Sequence, residues 1–180
     1  MSPHPLLEPR TAAILLAAAS AASLLIVLAL QYGAALAPCP LCVWQRWPHL
    51  GVVAAGLAAL WLRPAWMLGI ALVLLLGNAG LAGYHFGIEQ GWGALPAGCA
   101  AGAGATSVAE LRALLATAPP ACDQVAFTLF GLSLAAWNGL LCLGLAAFAG
   151  LSLARAGARG SVAHQHRHGH VAEHRAGDAA

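Results

Sequence analysis

Apolar positions along the chain come in long runs separated by short polar or proline-marked breaks. Thr11 to Leu30 forms one apolar run of 20 residues, which at about 1.5 Å per residue crosses a hydrocarbon layer of about 30 Å. A second run extends from the Cys39 region to Leu62 and stops at Arg63-Pro64. A third, Trp66 to Tyr84, follows after Arg63, Pro64 and Ala65 alone, so the second and third runs read as an antiparallel helical hairpin. Phe127 to Ala149 is the fourth. The pattern predicts an all-α integral membrane four-helix bundle with spans at about 11–30, 42–62, 66–84 and 127–149. Ala35-Leu36-Ala37 looks like a leader cleavage site, but the preceding apolar run exceeds the usual 7–15 residues and Pro38 would follow the cut, so cleavage is not expected.

Between the third and fourth runs lies the one sizeable region outside the bilayer, about 85–126, against a short first loop at about 31–41. In it Ser107-Val108-Ala109-Glu110 reads as a capping box opening a short helix, Val108 to Ala116. Apolar residues at 108, 111, 114 and 115 give that helix one face suited to a membrane surface. The Gly-rich stretch from Gly98 to Gly104 predicts mobility around Cys99. Residues 155–180 carry His164, His166, His168, His170 and His174 among small and polar residues, and read as a disordered tail.

Composition agrees with the membrane reading. Of 180 residues 61% are hydrophobic and 8% charged, with a mean hydropathy of +0.78, whereas soluble domains carry about 25% charged residues. A net charge of +2, scattered along the chain, is too small to point to a nucleic-acid partner, and none is expected. Four spans place both termini on one side, together with Arg10, Arg63, Arg155, Arg159, Arg167 and Arg175, against Arg46 and Arg112 opposite. The positive-inside bias makes the terminal side, residues 1–10 and 155–180, cytoplasmic, and both cysteine-bearing loops then face an oxidising compartment.

The chemistry concentrates in Cys39-Pro40-Leu41-Cys42-Val43-Trp44-Gln45-Arg46. With Cys39 capping a helix and Pro40 at its first position, Cys42 falls in the first turn, where unpaired N–H groups favour a thiolate. Arg46, four residues on, shares its face, and His49 follows one turn later. Cys99 and Cys122 complete two pairs, which are either static disulfides or a relay in which one pair reduces the other; a zinc site lacks the second C-x-x-C. His85 and Glu89, spaced i and i+4, suit a proton relay or a hydrogen-bonded pair. Asn78 and Asn138 suit bonds between helices, and Cys142 reads as an inert small hydrophobe.

These residues, with Tyr84-His85-Phe86-Gly87-Ile88-Glu89, Cys122-Asp123, Gly131-Leu132-Ser133 and Trp137-Asn138, resemble the DsbB family of disulfide bond formation proteins across about 11–154. The resemblance implies a multi-pass protein of the bacterial inner membrane. It would reoxidise a DsbA-like thioredoxin-fold dithiol oxidase in the periplasm and pass the electrons to a quinone, ubiquinone or menaquinone, with no metal. It further implies that Cys99 forms the mixed disulfide with the partner, that Cys122 exchanges with Cys39, and that Cys42 faces the quinone. Arg46 would stabilise the Cys42 thiolate and charge on the quinone oxygen, with His85 and His49 also at the quinone. Two other readings stand beside it. A quinone-linked reductase of the vitamin K epoxide reductase type carries its C-x-x-C near the end of its last core helix, not at the opening of span two. A metal-binding membrane protein would use the histidine tail.

Overall fold

The structure, a computed structural model, describes residues 5–96, 98, 99, 106–110, 112 and 119–177. Its helices are α1 (Pro9–Gly33), α2 (Pro40–Trp44), α3 (Arg46–Ala58), α4 (Pro64–Glu89) and α5 (Leu134–Gly177). Proline sets three of the starts: Pro9, Pro40 and Pro64 each stand at the opening of a helix, where a missing N–H costs nothing. Pro9–Gly33, Pro64–Glu89 and Leu134–Arg159 are each long and apolar enough to cross a membrane.

The second expected span takes a different form. α2 and α3 meet at Gln45, and neither piece alone has the length of a span. Pro48, with no N–H to offer the carbonyl of Trp44, breaks the ladder there. At this junction the main-chain oxygen of Gln45 accepts from Asn78 Nδ2 at 3.2 Å.

One apolar core draws on four helices: Ala12, Ala13 and Leu16 from α1, Val52 and Ala55 from α3, Leu68, Ala71 and Leu75 from α4, and Cys142, Ala146 and Ala149 from α5. Small side chains dominate it, as suits helices that gain little from burying apolar surface in lipid and must pack closely instead. Gly56 marks the tightest approach: a Cβ there would stand 2.4 Å from Ala17 Cβ and 2.6 Å from the carbonyl oxygen of Ala13. Beyond Ser20, α1 has no fully buried residue. Its second half therefore diverges from the bundle and leaves a cavity against α2 and α5.

The helix of the fourth expected span begins later than Phe127, at Leu134. Thr128–Leu129 and Leu132–Ser133 pair as antiparallel strands β1 and β2, with Thr128 opposite Ser133 and Leu129 opposite Leu132. Phe130 (φ 52°) and Gly131 (φ 78°) turn the chain between them with both central residues left-handed, the pattern of a type I′ hairpin. Trp137 Nε1 donates to the Leu129 carbonyl at 2.9 Å, and Ser133 Oγ accepts the Ala136 N–H at 3.2 Å, so the hairpin docks on and caps α5.

α5 continues to Gly177, so the backbone of the stretch expected to be a disordered tail is helical. Its alanines favour that conformation and no proline interrupts it. In the large loop, Ser107 Oγ accepts the Glu110 N–H at 3.2 Å, as the capping box requires. The Glu110 carboxylate reaches one residue further back than expected, to Thr106 N (2.9 Å) and Thr106 Oγ1 (2.7 Å). Residues 108–110 and 112 are helical, and the rest of the expected helix lies outside the described residues.

Candidate functional site

Cys39 caps α2 as its position before Pro40 predicts, and its sulfur accepts the Cys42 N–H at 3.1 Å. The Cys42 sulfur lies 2.7 Å away, and His85 Nε2 approaches from α4 at 3.5 Å. The Cys42 side chain, then His85 and the Cys42 N–H, hold the Cys39 thiol well below the usual cysteine range against the opposing effect of burial. The sequence had pointed to Cys42 as the ionised sulfur. The capping position explains the difference: the unpaired N–H groups of the first turn point outward at the cap residue, not at a side chain within the turn.

The other pair is closed. Cys99 and Cys122 form a disulfide with Cα atoms 5.2 Å apart, tied again by the Cys122 N–H to the Cys99 carbonyl at 3.1 Å. Most of the Gly-rich stretch expected to be mobile, residues 100–104, lies outside the described residues; Cys99 itself is buried, 3% exposed. Both of its sulfurs pack with Cys39, Leu41 and Ile88 in one buried cluster, flanked by Cys42 and Leu81. The geometry thus brings all four cysteines together.

His85 is a hub. Its Nδ1 receives Gln45 Nε2 at 2.8 Å, while Nε2 faces Cys39 and lies 3.9 Å from a Glu89 carboxylate oxygen. Glu89 is anchored in turn by the hydroxyl of Ser133, which joins the end of α4 to the hairpin. The polar chain continues from Gln45 Oε1 to Asn138 Nδ2 at 2.7 Å and from Asn138 Oδ1 to His49 Nε2 at 2.9 Å. Asn78 and Asn138 bond between helices as expected. Cys142, read as inert, has partners: Asn78 Nδ2 at 3.4 Å, Asn138 Oδ1 at 3.7 Å and His49 Nε2 at 3.8 Å. Gln45 and Ser133 escaped the sequence reading as site residues. Gln45 sits inside the C-x-x-C-x-x-Q-R run, but its partners lie 40 and 93 residues away.

The cavity left by α1 measures about 450 Å³. Its polar wall is Cys42, Gln45, Arg46, His49, His85 and Asn138; the remainder is almost wholly apolar, from α1 residues such as Ile26 and Leu30 and α5 residues such as Leu141. Arg46 and Cys42 share this wall, and among the described residues no hydrogen bond or ion pair engages the guanidinium. A flat, amphipathic ring with carbonyl edges fits such a space: apolar walls for the ring and a cation, imidazoles and amides for the oxygens.

Fold and site together define a helical membrane protein with a closed and an open cysteine pair in one buried cluster, beside a cavity facing the apolar phase. Residues 9–152 match the family model described as disulfide bond formation protein DsbB, and the chain belongs to the DsbB family. It is also 30% identical over 122 residues, 64% of this chain and 71% of the relative, to an uncharacterised protein of Rickettsia prowazekii (strain Madrid E). No solved structure matches it.

Proposed function

We propose that this chain is a quinone-dependent protein dithiol oxidase that reoxidises a DsbA-like thioredoxin-fold protein and so generates disulfides de novo. The observation that carries the proposal is the single cluster of Cys39, Cys99 and Cys122, with Cys42 placed between that cluster and the cavity. In this reading α2 and α3 together make the second of four spans, both termini are cytoplasmic, and the cysteine loops lie in the periplasm above a bacterial inner membrane.

The partner's thiolate attacks Cys99, breaking the Cys99–Cys122 bond; its second thiolate then releases Cys99, and the partner leaves oxidised. Cys122 attacks Cys39 of a Cys39–Cys42 disulfide, and Cys42 leaves. Cys99 attacks Cys122, and Cys39 departs as the thiolate that Cys42 and His85 stabilise. The outcome is a closed Cys99–Cys122 pair with Cys39 and Cys42 reduced, the same pattern of bonds as in this structure. Reclosing Cys39–Cys42 releases two electrons and two protons, and a quinone in the cavity would supply the acceptor for both. Arg46 offers positive charge at that wall, Cys42 presents the sulfur, and His49 and His85 hold polar edges of the site.

The test is quinone consumption by the purified chain in detergent, driven by a reduced thioredoxin-fold dithiol protein. Loss of quinone absorbance in the wild type and none in Cys42→Ser supports the proposal. Consumption that persists in Cys42→Ser, or none with any of several partners and quinones, refutes it.

A further inference from the structure

Cys39 Sγ, Cys42 Sγ and His85 Nε2 all lie within 4.8 Å of one another, the spread of a thiolate and imidazole metal site. One proton decides whether they can act as one. Nε2 binds a metal only through a bare lone pair, which moves the ring proton to Nδ1, where ligating histidines donate it to a carboxylate or carbonyl oxygen. Here Nδ1 meets the opposite kind of group, the Gln45 amide nitrogen at 2.8 Å. An amide nitrogen has only protons to give, so Nδ1 accepts and the ring proton belongs to Nε2, facing Cys39.

The amide of Gln45 is held in this sense by its other end. Its Oε1 accepts from Asn138 Nδ2 at 2.7 Å. Asn138 Oδ1 in turn receives His49 Nε2 at 2.9 Å and faces the Cys142 sulfur at 3.7 Å. That sulfur accepts from Asn78 Nδ2 at 3.4 Å, which leaves its own S–H for Asn138. Donors therefore run one way, from Asn78 through Cys142, Asn138 and Gln45 to His85 and Cys39. Four helical segments contribute: α4, α5, the α2–α3 junction and the cap of α2. Turning the Gln45 or the Asn138 amide alone would set two donors or two acceptors against each other at their 2.7 Å contact.

We propose that Asn138 and Gln45 are positioning residues that lock His85 in its Nε2–H tautomer, so that the Cys39, Cys42 and His85 cluster works as a hydrogen-bonded dithiol and refuses a thiophilic metal ion. The inference builds on the redox role given above to this cysteine pair, but its readout does not depend on turnover.

The test uses the reduced full-length chain in detergent, with ¹⁵N-labelled histidine and a pH at which imidazole is neutral. His85 is identified by the signals lost in His85→Gln. In the wild type His85 should show a protonated Nε2 and a bare Nδ1. Gln45→Glu keeps the shape but offers Nδ1 a carboxylate oxygen while still accepting from Asn138, and should move the proton to Nδ1. Asn138→Leu frees the Gln45 amide to turn and should give a mixture of both tautomers, which keeps the claim exposed if Gln45→Glu fails to fold. Cobalt(II) supplies the second readout. Its thiolate charge-transfer band, which the imidazoles of the histidine tail cannot produce, should appear in Gln45→Glu at cobalt concentrations about 10–100-fold lower than in the wild type. A wild-type His85 protonated on Nδ1, an unmoved proton in the variants, or equal cobalt affinity would overturn the lock. If the tautomers behave as stated while quinone consumption fails, the lock stands and the oxidase reading falls.

Discussion

Individual atoms around Cys39 divide the labour between the two sulfurs of the C-x-x-C pair. Cys39 gathers the hydrogen bonds, while Cys42 borders the cavity. Because the Cys39 thiol lies below the ordinary cysteine range, its thiolate persists above that lowered value and is lost as pH falls through it. Thiolate absorbance of the reduced chain should therefore survive acidification from pH 8 to pH 7, and His85→Ala should shift its loss toward higher pH. Arg46→Ala should slow quinone reduction by about 10–100-fold, the worth of a charge-assisted hydrogen bond of about 1.5–3 kcal/mol. Exchange between the Cys99–Cys122 pair and a partner dithiol, followed by gel shift of the mixed species, should be unchanged; equal loss of both steps would make Arg46 a folding residue. The cap at Cys39 was readable from Cys-Pro because it is local. The Gln45–His85 and Gln45–Asn138 contacts were not, since only packing brings together side chains 40 and 93 residues apart.

Among the elements, α1 and α3 meet where neither can give way. A methyl group at Gly56 would strike the Ala13 carbonyl, which is backbone and cannot rotate aside. Gly56→Ala should cost about 1–3 kcal/mol, read as a lower unfolding temperature in detergent. Gly144→Ala, with nothing within 4 Å, should leave that temperature unchanged or raise it through helix propensity. The helix start at Pro40 was legible because proline acts on its own neighbours. Pro9 falls outside the expected first span and Pro64 within the expected turn, so those two helices open two residues before the expected spans at Thr11 and Trp66. The hairpin at 128–133 was hidden: Phe127 to Phe130 is as apolar as a span, and its turn is made by Phe130-Gly131 without the Asn-Gly or Asp-Gly signature. The break at Gln45 left a trace in Pro48, which stands inside the expected span at 42–62 and has no N–H for the carbonyl of Trp44, a signal the apolar run around it masked.

Taken whole, the molecule keeps its thiol chemistry covered on the loop side and open on the apolar side. Cys99 is buried, so under the proposed function its sulfur must become exposed before a partner thiolate can reach it. Cys99→Ser should fail to trap a mixed disulfide, and Cys122→Ser, which leaves Cys99 unpaired, should trap it; trapping in the first variant would assign the attacked sulfur to Cys122. The divergence of α1 beyond Ser20 has a different consequence. The wall it leaves includes Ile26, Trp137 and Leu141, which also lie on the outer surface, so the mouth opens sideways between α1 and α5. A guest entering by that route is drawn from the surrounding amphiphile and not from bulk water. Half-saturation should then follow the number of quinone molecules per detergent or lipid molecule: doubling the micelles should roughly double the total quinone needed, and diluting protein, quinone and micelles together should change little.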